Sequence, residues 1–293
     1  MKIKSFYEPE SGTWTHLLAD PVESKAAIID PVWVFDPVSG RADAAFIDQV
    51  LAEAKSAEYT VEWVLETHAH ADHLTAASLV RQRTGAKIAC GKGIREVQEN
   101  FARVFNMTDT PVDGSQFDRL LSEGDVIRLG RLDIHVMETP GHTGDSVTYR
   151  AGDAAFIGDT LFSPTRGSAR CDFPGGCAGQ LYDSIRKLYQ LPAETRLFLC
   201  HDYPDNGEQP VSQVTVAVSL ARNIHVSADT SREEFIDLRT RRDAQLGLPK
   251  LILPSLQVNI LAGEAPEPDS NGVSYLRIPF SRSVAELIRG NFK

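Results

Sequence analysis

Five of the eight histidines fall in three of four short segments, the fourth carrying an aspartate, and each segment follows an apolar run. VEWVLE leads into Thr67-His68-Ala69-His70-Ala71-Asp72-His73. LDIHVME leads into Thr139-Pro140-Gly141-His142, AAFI into Gly158-Asp159-Thr160, and RLFL into Cys200-His201-Asp202-Tyr203. Imidazole and carboxylate together are the ligand set of Zn²⁺, Fe²⁺ and Mn²⁺. His68 and His70, at i and i+2 in a loop leaving a strand, can point to one side while the chain turns. Asp72 and His73 then begin the next helix, so this one segment can serve two neighbouring metal positions. The small Ala69 and Ala71 let the backbone approach an ion. Three His and an Asp within six residues rarely arise from packing, because each is costly to bury without a partner. His16, His135 and His225 stand alone and read as packing or surface residues.

Positioning these groups falls to the apolar runs, which read as strands. The alternation predicts strands over 13–20, 26–34, 60–66, 87–90, 125–129, 132–138, 147–151, 154–158 and 196–200. Helical spacing covers 43–56, 74–83 (ended by Gly85), 91–105 and 177–189. Loops at the carboxyl ends of strands are where open α/β sheets carry their sites, and four strands deliver His or Asp at one such end. Residues 106–121 read as a loop. Beyond Pro204, helices are expected over 211–224 and 231–246, the second with a capping signature in Ser231–Glu234. Residues 248–258 are expected to lie across the surface. The simplest architecture is α/β: a mixed sheet sandwich covered by helices. Its core spans about 1–204, with a C-terminal helical segment, 205–293, that is part of the same domain.

A formal charge of −10 argues against nucleic acid and against a polybasic membrane anchor. Four cysteines with no C-x-x-C pair make neither a disulfide framework nor a thiolate zinc site. Cys171 and Cys177 read as structural. No run approaches 18 apolar residues, and residues 1–18 contain no apolar signal-peptide core. The expectation is a cytoplasmic protein.

The series T-H-x-H-x-D-H, G-H-T, G-D-T and a strand-end His resembles the metallo-β-lactamase superfamily over most of residues 13–203. The resemblance implies an αββα sandwich with a metal site at one edge. By position, His68, His70, His142 and Asp159 would form one metal site, and Asp72, His73, Asp159 and His201 a second. The loop Arg166-Gly167-Ser168-Ala169-Arg170-Cys171-Asp172-Phe173-Pro174-Gly175-Gly176, followed by Leu181-Tyr182-Asp183-Ser184-Ile185 and His201-Asp202-Tyr203, resembles the persulfide dioxygenase branch. Leu248-Pro249-Lys250 fits the same branch. The tail departs from it at Arg222-Asn223-Ile224, where relatives often have Asn-Pro, and 34–41 and 106–121 look like insertions.

That branch implies a single Fe(II) per subunit on His68, His142 and Asp159, with open positions for the reactants. His70, Asp72, His73 and His201 would stand behind it, fixing ligand orientation and holding water. The reaction implied oxidises glutathione persulfide with O₂ and water to sulfite and glutathione. Arg170 and Arg166 are candidates for the glutathione carboxylates, Arg170 with an internal pairing to Asp172 or Asp159 as its alternative. Tyr203 and Asp172 are candidate catalytic groups. A homodimer and a separate sulfurtransferase supplying persulfide are the partner expectations. Ligand counting alone favours two zinc ions and a glyoxalase II-type hydrolysis of hydroxyacylglutathione thioesters, a reading the spacing leaves open.

Overall fold

The computed structural model describes residues 1–205, 207–280 and 283–288. Its first half is built from β1 (Lys2–Glu8), β2 (Thr13–Asp20), β3 (Lys25–Ile29), β4 (Val32–Asp36), β5 (Arg41–Asp43), α1 (Ala45–Ser56) and β6 (Thr60–Leu65). It continues through β7 (Leu74–Thr75), α2 (Ala77–Thr84), β8 (Lys87–Gly91), α3 (Ile94–Val104) and β9 (Arg119–Leu121). Then come β10 (Val126–Leu129), β11 (Leu132–Glu138), β12 (Val147–Ala151), β13 (Ala154–Phe156), α4 (Ala178–Leu188), β14 (Arg196–Phe198), β15 (Gln213–Thr215), α5 (Val216–Arg222), α6 (Arg232–Asp243), α7 (Ile252–Asn259) and α8 (Val284–Ile288).

Two six-stranded sheets, ordered β1-β2-β3-β6-β8-β9 and β10-β11-β12-β13-β14-β15, carry the core. Alternation along each strand sends side chains to opposite faces. In β3, Ala27 and Ile29 join the cluster between the sheets while Ala26 and Ile28 face the helices. From the other sheet, Ile134, Val136, Tyr149, Phe156 and Phe198 fill the same inner layer. The outer face of the first sheet is covered by α1, α2, α3, α7 and α8, through Val50, Val80, Phe101, Leu256 and Ile288. Leu181, Ile185, Val216 and Phe235 cover the second. The result is the expected helix–sheet–sheet–helix sandwich.

Several boundaries differ from the sequence reading. The expected strand over 26–34 is two, β3 and β4, because Asp30 takes a left-handed conformation (φ 50°) ahead of Pro31. Residues 74–75 pair with β4 instead of beginning a helix. Residues 213–215 form an edge strand on β14, so the expected helix over 211–224 starts only at Val216. β1 was not foreseen, nor was α7, which occupies the stretch expected to lie flat. Gly85 ends α2 in the left-handed conformation, and the Ser231–Glu234 capping box caps α6, both as expected. No helix among the described residues is long and apolar enough to cross a membrane.

Candidate metal centre

All four strand-end segments converge on one edge of the sandwich. β6 delivers the His68–His73 loop, β11 delivers His142, β13 runs into a single 3-10 turn bearing Asp159, and β14 leads to His201. Two glycines make the approach possible. Gly158 has φ +51°, and a Cβ there would lie 2.7 Å from the Thr67 hydroxyl oxygen. Gly141 has φ +139°, and a Cβ there would lie 2.2 Å from the Leu181 amide nitrogen. At both positions any other side chain would be strained, pressing at Gly158 on Thr67, which supports His68, and at Gly141 on the backbone of α4.

The ligand atoms of His68, His142 and Asp159 lie within 4.8 Å of one another, as do those of His70, Asp72, His73 and His201. Asp159 Oδ2 is 3.6 Å from His142 Nε2 and 4.0 Å from His68 Nε2. Asp159 Oδ1 is 3.6 Å from His201 Nε2, which is 3.2 Å from Asp72 Oδ2. All the sequence candidates for metal binding are therefore in one cluster, with Asp159 between its two halves.

Each ring is fixed from behind, and the partner selects the tautomer. His142 Nδ1 donates to the Arg170 carbonyl at 2.7 Å, leaving Nε2 as the free lone pair. Thr67 gives its hydroxyl proton to Asp30 (2.9 Å) and so accepts from His68 Nδ1 (3.0 Å). The Thr13 hydroxyl oxygen lies 3.2 Å from His201 Nδ1 and 3.4 Å from His73 Nδ1. His70 is the reverse: its Nε2 donates to Asp30 (3.1 Å), with Glu66 at 3.5 Å, and Nδ1 faces the cluster. Burial would lower the His70 pKa, but Asp30 and Glu66 raise it well above the ordinary value. Burial and the neighbouring imidazoles lower His68 well below its ordinary value and hold His73 at about 4. Burial also raises the Asp159 carboxyl, against the pull of His201 and His142. It opposes Asp72 as well, yet His201 and His73 keep that carboxyl far below its ordinary range.

His68 Nε2, His70 Nδ1, His73 Nε2, His201 Nε2 and Asp159 Oδ1 are all buried without a hydrogen-bond partner. An orphaned buried polar atom costs about 1–3 kcal/mol, and five of them aimed at one space fit a metal cation as the missing partner.

Asp72, His73, His142 and Asp159 of the cluster form the floor of a cavity of about 860 Å³. Trp33 and Phe35 of the β4–β5 hairpin wall one side, so part of the segment read as an insertion (34–41) lines the site. Phe162, Phe173 and Leu251 add apolar surface, while Arg242 and Lys250 reach it from the C-terminal segment. Neither of these two cations forms an ion pair among the described residues.

Other expectations resolve differently. Arg170 grips Asp172 through two bonds of 2.6 and 2.8 Å, donates to the Gly247 carbonyl at 2.7 Å, and stacks on Phe173. Arg170 and Asp172 thus occupy each other, the alternative raised for Arg170, and Asp172 works on that guanidinium instead of at the cluster. Arg166 borders the cavity but pairs with Asp205 at 3.1 Å. The Tyr203 ring lies parallel to His201, with centroids 5.7 Å apart, and is half exposed at the cavity. His225 packs as expected, yet it also accepts the Ser168 amide and so holds the Arg166–Gly176 loop. A buried Arg239–Asp243 pair on α6 holds the same loop through the Ser168 carbonyl and the Cys171 amide. Cys171 is buried and Cys177 exposed.

Thr13, Asp30, Glu66 and Asn259 were not found from the sequence. Asp30 had a usable signal, since it ends the apolar run 26–29 at the same sheet edge. The others are single polar residues with no spacing to betray them.

Comparison with known proteins gives a consistent family. Residues 22–201 match the sequence model of the metallo-beta-lactamase superfamily. A probable metallo-hydrolase of Burkholderia pseudomallei is 47% identical over 290 residues, covering 95% of this chain and 99% of that protein. The mitochondrial persulfide dioxygenase ETHE1 of Homo sapiens is 31% identical over 251 residues, covering 85% of this chain and 82% of its own length. The crystal structure of ETHE1 from Myxococcus xanthus superposes with a TM-score of 0.72 at 33% identity, covering 90% of this chain and all of that one.

Proposed function

The chain belongs to the metallo-β-lactamase superfamily, and we propose that it is a persulfide dioxygenase acting on glutathione persulfide. The observation that carries this reading is the His68–His142–Asp159 face. Two imidazoles and one carboxylate converge there, with His68 Nε2 and Asp159 Oδ1 buried and free of hydrogen bonds, and His142 and Asp159 border a cavity also lined by Arg242 and Lys250, neither of them ion-paired among the described residues. A facial set of two His and one carboxylate is the donor arrangement of non-haem Fe(II) oxygenases. The likeness to ETHE1 in sequence and structure supports the same reading.

Iron held by His68, His142 and Asp159 would supply the redox chemistry that joins O₂ to sulfur. The net reaction consumes one persulfide, one O₂ and one water. The outer sulfur is oxidised and leaves as sulfite, O₂ is reduced, and the inner sulfur leaves as the glutathione thiol with release of two protons. The chain's own groups bind, orient and exclude. Arg242 and Lys250 are assigned to the substrate carboxylates, since Arg170 is taken up by Asp172. Trp33, Phe35, Phe162 and Phe173 keep water from the reacting sulfur. Thr67 and the Arg170 carbonyl hold the His68 and His142 rings in the tautomer that leaves Nε2 free. Tyr203 stands at the mouth, stacked on His201.

One observation favours a second reading. His70 Nδ1, His73 Nε2 and His201 Nε2 are buried without a hydrogen-bond partner, as are His68 Nε2 and Asp159 Oδ1. They would suit a second ion and a two-zinc thioester hydrolase, in line with the name of the 47% identical relative. Oxygen-electrode measurements on anaerobically iron-loaded protein given glutathione persulfide separate the two. The dioxygenase consumes O₂ and forms sulfite in equal amounts. Absence of O₂ uptake, with hydrolysis of S-lactoylglutathione by the zinc-loaded protein, refutes it in favour of the hydrolase.

A further inference from the structure

Helix α7 lies in the C-terminal segment, about 185 residues from the ligand loop in sequence, yet it reaches under that loop. Asn259, its last residue, is buried and spends its whole side-chain amide there. Nδ2 donates to the carbonyl of His70 at 2.7 Å and to the carbonyl of His73 at 2.8 Å. Oδ1 accepts from the amide of Thr75 at 2.8 Å. The loop runs without regular secondary structure between β6 and β7. Its carbonyls therefore have few ladder partners, and an unmet buried carbonyl is costly. One side chain meets two of these carbonyls, and both belong to residues that supply ligand nitrogens.

The helix is itself anchored. Gln98 donates to the Ile260 carbonyl at 2.8 Å and Ser78 to the Gly263 carbonyl at 2.6 Å. The residues just ahead of α7, Pro249, Lys250 and Leu251, border the cavity.

We propose that Asn259 is a positioning residue for the metal centre. It sets the backbone of His70 and His73 so that His70 Nδ1 and His73 Nε2 face the same space. Through α7, the C-terminal segment becomes part of the metal site and not only of the substrate cavity. This rests on the reading in which the half of the cluster formed by His70, Asp72, His73 and His201 also holds an ion.

Two substitutions test it. Asn259→Asp keeps the acceptor for Thr75 and removes both donors; Asn259→Leu removes all three bonds at similar size. Gln257→Leu is the control. Gln257 is equally buried on the same helix and makes three bonds, to Leu253 and to the Arg277 amide and carbonyl, none to the ligand loop. Zinc is titrated into metal-free protein against a competing chelator, and the metal-free melting temperature is recorded for each variant. Loss of a group that orients a ligand typically weakens binding about 10–100-fold. That rise in the zinc dissociation constant is expected for Asn259→Asp, with wild-type affinity in Gln257→Leu at a comparable loss of melting temperature. The visible spectrum of the cobalt-loaded protein should change in the Asn259 variants alone. Wild-type affinity and spectrum in Asn259→Asp would overturn the proposal, as would equal weakening in Gln257→Leu. A wild-type protein that binds neither zinc nor cobalt would overturn the metal-centre reading itself. If Asn259→Leu does not fold, Asn259→Asp still decides.

Discussion

Thr13→Val removes one hydroxyl and keeps the shape of the side chain, so it removes what that oxygen does for the two rings behind which it sits, together with its 2.8 Å bond to the Ser11 hydroxyl, which keeps Glu8 as a partner. His201 Nδ1 is 3.2 Å from it and His73 Nδ1 3.4 Å. His73 retains a carboxylate oxygen of Asp72 at 3.5 Å, whereas His201 has no other partner for Nδ1 among the described residues. A stranded buried N–H costs about 1–3 kcal/mol. The cheapest escape is a change of tautomer: His201 moves its proton to Nε2, where Asp72 Oδ2 waits at 3.2 Å. That bond recovers stability but covers the nitrogen a metal would need. Thr13→Val should therefore cost little in the metal-free fold, about 1 kcal/mol or less. Any ion bound through His73 and His201 should weaken about 10–100-fold. Iron held by His68, His142 and Asp159, as proposed, would have its own supports in Thr67 and the Arg170 carbonyl. Its stoichiometry should stay at one per chain with affinity near wild type. The assay is equilibrium titration of iron and of zinc, with metal content measured after gel filtration. Loss of iron would refute the assignment of iron to that face, and unchanged binding of a second zinc equivalent would refute the tautomer argument.

Three further outcomes are expected. Asp159→Ala should abolish iron binding, because Asp159 is the only carboxylate of the three-residue face; full iron content by elemental analysis would remove it from the site. Arg242→Ala and Lys250→Ala should each raise KM for glutathione persulfide about fivefold at unchanged kcat, the ~1 kcal/mol of an exposed ion pair. A fall in kcat with unchanged KM in steady-state kinetics would contradict their role as carboxylate anchors. His16, buried against the Leu199 carbonyl and the Ser5 hydroxyl, has its pKa lowered by burial from 6.5 to about 4. The unfolded chain then binds its proton first, so stability is unaffected above pH 6.5 and falls on acidification towards pH 4, by up to about 3 kcal/mol. Urea midpoints measured from pH 7 to 4 should lose part of that slope in His16→Gln, and an unchanged slope would exclude His16 as the source.

Sequence alone reveals the metal cluster but hides most of what holds it, for a physical reason. Ligands must converge on one ion, so evolution of the site leaves dense, costly polar segments at strand ends, and these stand out as H-x-H-x-D-H, G-H-T and G-D-T. The groups behind the ligands need only one hydrogen bond each, and one Thr, Asp or Asn anywhere in the chain can supply it. Thr13 lies at the start of β2 and Asp30 at the end of β3, and their antiparallel pairing brings both to the ligand edge. Asn259 arrives from the far end of the chain, on a helix masked by its own composition. Its segment, Leu-Ile-Leu-Pro-Ser-Leu-Gln-Val-Asn, has a proline within the first turn, where a missing N–H is harmless, and apolar residues around most of its surface. Such a helix reads as a surface strap until its neighbours are known; here both its faces are buried, against α3 on one side and under the ligand loop on the other. The same logic explains the Arg166–Gly176 loop, whose Arg170 and Asp172 look like reaction groups in the sequence. With the Gly247 carbonyl and the Phe173 ring already around the guanidinium, the pair is a brace, and its main service to the centre is the Arg170 backbone carbonyl that turns His142 towards the metal space.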